Sequence, residues 1–176
     1  MDLFRQEDPS CPDEAFIASG SCYFDQMAVA AWRQACKAEV ERGRVAYDYD
    51  GAKIDNLTWE ACRGGGIATP PAPGEGGPSV IGGDTAGDSG TDWSDYFAGQ
   101  VLDNTTGEQV AVLHGKMDED EYARQMYCLG MHYNTALIGV EANYSTHPIK
   151  ELQRLNYPHQ YTREQPDTYT GALKKS

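Results

Sequence analysis

Ala136-Leu137-Ile138-Gly139-Val140-Glu141-Ala142-Asn143 decides the reading of this chain. An earlier stretch, Ser79-Val80-Ile81-Gly82-Gly83-Asp84, has the same build: a short apolar run ending on an acid. Each reads as a buried strand that delivers a carboxylate at its end. Working outward, Tyr96–Leu102 and Gln109–His114 read as two further strands around Asp103-Asn104-Thr105-Thr106-Gly107, a hairpin loop with glycine where a left-handed residue is wanted. Asp118 with Glu121 makes a capping-box-like helix start, and Tyr122, Met126, Leu129 and Tyr133 then fall on one helical stripe. A last helix is expected from about Pro148 to Leu155, with Pro148 at an early helical position. The order strand, strand, strand, helix, strand, helix describes an α/β fold: a mixed sheet in which an antiparallel hairpin is followed by a crossover helix into a parallel strand.

If the strand after the crossover lies parallel beside the first, Asp84 and Glu141 emerge at the same end of the sheet, where such folds place their ligand sites. Two carboxylates a few ångströms apart repel each other unless one is protonated or a cation sits between them. Mg²⁺ or Mn²⁺ suits oxygen ligands of this kind and keeps waters and substrate phosphates in its shell. Two such ions activate water and stabilise the leaving oxygen of a phosphodiester. A plainer reading stays open: an acid after a strand is often a turn former or helix cap, and Asp84 before Thr85-Ala86-Gly87 fits that too. Glu141, directly after Leu-Ile-Gly-Val, is a poor strand residue and a poor turn former.

Upstream the signals are weaker. Pro9 and Pro12 discourage helix before Asp13, and Ser19-Gly20-Ser21 interrupts the chain again. From Asp25, read as the N-cap, Ala28, Ala31, Trp32 and Ala35 recur at helical spacing, with Trp32 expected to pack and Gly43 to stop the helix. Val45-Ala46-Tyr47-Asp48-Tyr49 reads as a strand ending at the turn dipeptide Asp50-Gly51, and a second strand surrounds Leu57 and Trp59. Gly64-Gly65-Gly66 lacks the lysine and following helix of a phosphate cradle. The run Pro70-Pro71-Ala72-Pro73-Gly74-Glu75-Gly76-Gly77-Pro78 reads as a linker and main domain boundary. That gives an arm at 1–45, short strands and linker at 46–77, and a principal domain at 78–176.

Composition narrows the function classes. The 176 residues carry 14 Lys and Arg against 27 Asp and Glu, a formal net charge of −13, so the chain on average repels DNA. Working on nucleic acid then requires bound cations, or a basic groove supplied by a larger protein. No apolar run is long enough for a membrane span, and the N-terminus lacks a signal-type apolar region, so a soluble, intracellular (cytoplasmic) protein is expected. Cys11, Cys22, Cys36, Cys62 and Cys128 form no CxxC pair and read as reduced thiols. His114, His132, His147 and His159 lack metal-ligand spacing, and the glycosylation triplets at Asn56, Asn104 and Asn143 read as chance matches.

Asp13-Glu14-Ala15-Phe16-Ile17-Ala18-Ser19-Gly20-Ser21, Ile81-Gly82-Gly83-Asp84-Thr85-Ala86-Gly87 and Ile138-Gly139-Val140-Glu141-Ala142-Asn143 together resemble the large terminase subunit of tailed phages and prophages, where its ATPase domain hands over to its nuclease domain. The likeness extends to Tyr47-Asp48-Tyr49-Asp50-Gly51, Asp95-Tyr96-Phe97 and Gln125-Met126-Tyr127. The resemblance implies a ribonuclease H-like fold and a DNA endonuclease that uses carboxylates to hold two divalent metals, Mg²⁺ or Mn²⁺, while cutting concatemeric viral DNA during packaging. It makes Asp84 and Glu141 catalytic metal ligands. It also implies double-stranded DNA, the rest of the large subunit, the small terminase subunit and the portal as partners, all in the cytoplasm of a bacterial host.

The departures are equally specific. The family's motor-domain phosphate loop and acidic metal-holding strand are absent, and so is the third nuclease carboxylate from a helix near the C-terminus. Glu164 and Asp167 are weak stand-ins, and Asp88, Asp92 and Asp95 read as solvated loop acids. The sequence therefore reads as a C-terminally incomplete domain, a truncated or split product. An inactive remnant contributing only an interaction surface is the alternative. A third reading, an actin-like nucleotide binder, rests on Asp84-Thr85-Ala86-Gly87 alone and lacks a second phosphate loop.

Overall fold

Ile81 and Gly83 are buried while Gly82 and Asp84 face outward, the alternation of a strand covered on one side only. The computed structural model describes residues 24–35, 41–69, 77–86, 96–143, 145–166 and 173–175. The chain divides into two units, Met1–Ala38 and Glu39–Ser176. In the first, helix α1 (Gln26–Ala35) is capped as its sequence foretells, with the Ala28 N–H donating to Asp25 Oδ1 at 2.8 Å. None of its side chains is buried, and Trp32 is 78% exposed, so the expectation that Trp32 packs is not met.

The second unit is built on β1 (Glu41–Tyr49), β2 (Ile54–Ala61), β3 (Ile67–Thr69), β4 (Ser79–Asp84), β5 (Phe97–Asp103), β6 (Gln109–Gly115), α2 (Glu119–His132), β7 (Leu137–Val140), α3 (His147–Arg154), β8 (Glu164–Pro166) and β9 (Leu173–Lys175). Seven strands form one mixed sheet in the order β2-β1-β3-β6-β5-β4-β7, and β8 pairs with β9 separately. The pairing of β4 with β7 is parallel and the other pairings in the sheet are antiparallel. This is the hairpin, crossover helix and parallel strand expected from sequence.

Local chemistry explains the turns. Asp50 Oδ1 accepts from the N–H groups of Ala52 (2.9 Å) and Lys53 (2.8 Å), and Gly51 takes φ 95° between β1 and β2. Between β5 and β6, Asp103 Oδ1 accepts from Thr105 (2.7 Å) and Thr106 (3.0 Å), and Gly107 supplies φ 73°. These amide bonds hold both aspartates below the usual carboxylate range.

Helix α2 starts at Asp118, whose Oδ1 accepts from the Glu121 N–H at 2.7 Å. Its stripe of Tyr122, Met126 and Leu129, continued by Tyr133, is buried against Ile81, Phe97, Val101, Leu113 and Ile138. Helix α3 lies against α2 and contributes Leu152 to the same core. The outer edge of β7 is closed by the chain beyond α3: the Ile138 N–H donates to His159 O (2.9 Å) and the Tyr161 N–H to Ile138 O (2.8 Å). Covering an edge in this way removes a row of unpaired backbone groups.

Several expectations change. Gly43 does not stop a helix; it lies inside β1, where a Cβ would press on the Trp59 ring and Glu60 O. The Pro/Gly-rich run is not a boundary between sheets, because residues 41–69 and 79–140 supply strands to the same sheet. The structure adds the short strand β3 and the β8–β9 pair around Glu164, which the sequence pattern does not announce. Cys128 is buried and its thiol is pushed up to about 12 by burial, whereas Cys62 is exposed. The segment from Asp13 to Ser21, the cysteines at 11, 22 and 36, the loop acids Asp88, Asp92 and Asp95, and Asp167 lie outside the described residues.

Candidate functional site

Because β4 and β7 run parallel in the register Val80↔Leu137 to Gly83↔Val140, their ends reach the same rim of the sheet. The ladder continues one step further, with the Glu141 N–H donating to Gly83 O at 2.8 Å. Asp84 and Glu141 are therefore neighbours at the ends of adjacent strands. They also share a face. Ile81, Gly83 and Ile138 point toward α2, whereas Gly82 and Asp84 lie on the opposite side, as Gly139 and Glu141 do by the same alternation.

On that open face lies a cavity of about 550 Å³ lined by Gly82, Asp84, Ala98, Gln100, Gly139, Glu141 and Tyr161. Its floor is low because the residues beneath it are small. A Cβ placed on Gly82 would meet nothing within 4 Å, and Tyr161 lies across Gly139, its Cβ 3.5 Å from where a Gly139 Cβ would stand. Both acids are exposed, so they keep access to solvent and solutes.

Two residues hold the Glu141 end of the site. Asn143 Nδ2 donates to Glu141 Oε1, and buried Thr85 donates from Oγ1 to Glu141 O at 3.4 Å. Beneath the rim, the Tyr122 hydroxyl donates to Ala98 O at 2.8 Å. Burial pushes its ionisation far up, and the Asp84 carboxylate nearby adds to this, so Tyr122 is a neutral, fixed donor. The sequence singled out the two acids but not Tyr161, Gln100, Thr85 or Asn143. Asn143, two residues after Glu141, was the one legible from spacing.

A hard divalent cation is the group these residues fit: two carboxylates at one rim, on one face, open to water and without sulfur or imidazole donors. Among the described residues no cluster of three or more His, Cys, Asp or Glu side chains is placed to hold a metal. Glu164 belongs to the separate β8–β9 pair. No helix among the described residues is long and apolar enough to cross a membrane.

No protein-family model matches the chain, and no curated protein does. Among solved structures, the chain is similar to the large terminase nuclease from thermophilic phage G20c, with 17% sequence identity and a TM-score of 0.48. The match covers 56% of this chain and 50% of that one, so the chain spans about half the length of that nuclease.

Proposed function

We propose that this chain is a nuclease portion of a terminase large subunit with a ribonuclease H-like sheet, and that Asp84 and Glu141 hold divalent metal for hydrolysis of DNA phosphodiesters. One observation carries the reading: two acids far apart in sequence stand side by side at one rim and on one face of adjacent parallel strands. The motifs around Asp84 and Glu141 resemble the terminase family at these positions. The hairpin–crossover–parallel topology is the sheet that family implies.

Bound Mg²⁺ or Mn²⁺ supplies Lewis acidity and lowers the pKa of coordinated water. The chain's own residues do the rest. Asp84 and Glu141 each offer carboxylate oxygens above the cavity, Asn143 fixes the orientation of Glu141, and Thr85 ties its backbone to the end of β4. Orientation of a ligating carboxylate by a hydrogen-bonded neighbour is a common requirement of such sites. The glycine floor leaves room for a phosphodiester to approach both acids. Concatemeric viral DNA is the substrate on this reading. The remainder of the large subunit, the small subunit and the portal are the partners, and the bacterial cytoplasm is the location.

The test is nicking of supercoiled plasmid in Mn²⁺. The parent chain is expected to nick, and Asp84→Ala and Glu141→Ala each to lose nicking by at least a hundredfold, on the order of what removal of key catalytic groups costs. A second reading, a folded but non-catalytic piece of a packaging machine, is favoured by the net charge of −13 and by the lack of a third acid at the site among the described residues. Failure of the parent chain to nick, with a sharp thermal transition by circular dichroism, would establish that reading instead.

A further inference from the structure

Beyond metal chemistry, the open face of the sheet carries exposed aromatic rings on both sides of the acids. Glu141, Asp84, Ala98 and His114 form one row across β7, β4, β5 and β6, because Asp84 pairs with Ala98 and Ala98 with His114. At the β7 side, Tyr161 lies over Gly139 and is 63% exposed, its backbone fixed to the strand edge. At the β6 side, Tyr96 stacks on His114 with centroids 4.7 Å apart and planes 10° apart, and Tyr96 is 51% exposed.

The Lys116 Nζ stands 5.3 Å from the Tyr96 ring centre. Continuing across β3, register places Ala68 beside Val112 and Arg42 beside Ala68, so an exposed arginine joins the same face. Gly139, beneath Tyr161, and His114 lie on strands three spacings of roughly 4.8 Å apart and two residues out of row, which separates the two aromatic positions by about 16 Å.

We propose that this face binds an unpaired single strand of nucleic acid laid across the strands, with bases stacked on Tyr161 and on the Tyr96–His114 pair. The sugar–phosphate chain then passes over the low floor between them. The proposal rests on the nuclease reading for its place near Asp84 and Glu141, and it adds the form of the substrate: a locally unwound strand rather than an intact duplex. Exposed rings on a sheet accept bases of any sequence, because every base has a π-face. Duplex bases stay stacked on each other and cannot use such rings. Arg42 and Lys116 provide cations on the one face that needs them in a chain that is acidic overall.

Fluorescence anisotropy with a short labelled oligothymidylate, in low salt and EDTA, tests this without depending on catalysis. The parent chain is expected to bind the single strand several-fold more tightly than a duplex of equal length. Tyr161→Ala and Tyr96→Ala should each weaken binding by roughly fivefold to a hundredfold, the size of one lost base–aromatic stack. Tyr161→Phe should retain binding. Both rings are exposed, so the alanine variants should melt like the parent.

Equal binding by the parent and both alanine variants, equal binding of duplex and single strand, or no binding by the parent would each overturn the proposal. Mn²⁺-dependent nicking by the same preparations separates the two readings. Intact nicking with unchanged oligonucleotide binding removes the stacking face alone. Ring-dependent binding without nicking removes the nuclease and leaves the strand-binding face.

Discussion

Gly82 and Gly83 are chemically identical neighbours with opposite tasks, and the difference shows what fixes the site. Gly83 faces α2, where a Cβ would collide with the Tyr122 hydroxyl and stand 2.8 Å from Met126 Cε. Gly83→Ala is therefore expected to destabilise the fold by about 1–3 kcal/mol in urea unfolding, the usual range for overpacking. Gly82 faces the cavity with open space above it, so Gly82→Ala should change stability by less than about 0.5 kcal/mol. A methyl there raises the floor beside Asp84, and oligothymidylate binding should weaken. Sequence gave no means of telling the two glycines apart. The face each takes depends on whether Ile81 or Val80 turns inward, and only packing against Met126 and Tyr122 decides that.

At the scale of elements, α2 was the most legible part of the chain. Asp118 caps it and the stripe of Tyr122, Met126 and Leu129 is buried, as the spacing foretold. Asp118→Ala should cost about 1 kcal/mol, and Met126→Ala, which empties the contact with Gly83 and Gly99, about 2–5 kcal/mol. Chemical denaturation reads both.

The fate of Glu121 was not legible, because its partners are distant in sequence. Its carboxylate accepts from Tyr47 of β1 at 2.6 Å and from Gln125 at 2.8 Å, joining the helix to the far part of the sheet.

Helices α2 and α3 are also joined by His147 Nε2 against Asp120 Oδ1 at 2.6 Å. The Asp120 hydrogen bond raises the His147 pKa, with the charges of Asp120, Glu119 and Glu151 adding to it; the same bond lowers that of Asp120, helped by the Arg124 and Arg154 charges. The histidine's stabilisation is complete below the ordinary imidazole value of 6.5 and is lost as pH rises through the raised one. The aspartate's is complete above 3.8 and is lost as pH falls through its lowered value. The tie is thus strongest between those values. Melting temperature should fall more for the parent than for His147→Ala as pH is taken from just below 6.5 to well above it. Parallel curves would show that the pair contributes nothing, as exposed pairs often do.

For the whole molecule, the sequence located the hairpin, the crossover helix and the parallel strand, but not the joining of residues 41–69 to the same sheet. Residues 46–77 read as a segment apart because the Pro/Gly-rich run that ends it looks like a linker. In the structure, β3 between β1 and β6 joins both halves into one sheet. With three residues, β3 leaves almost no periodic signal, so its role is set by pairing rather than by propensity. The same pairing carries the open face from Tyr161 across to Arg42, and a reading confined to the two acids misses that breadth.

The central claim is that Asp84 and Glu141 share one divalent cation. Its most direct test is titration of Mn²⁺ into the metal-free chain, followed by water-proton relaxation. A single site is expected, with affinity at least tenfold lower in Asp84→Ala and in Glu141→Ala alike and the double variant little worse than either single one. Unchanged affinity in both single variants, or loss in only one of them, would contradict it.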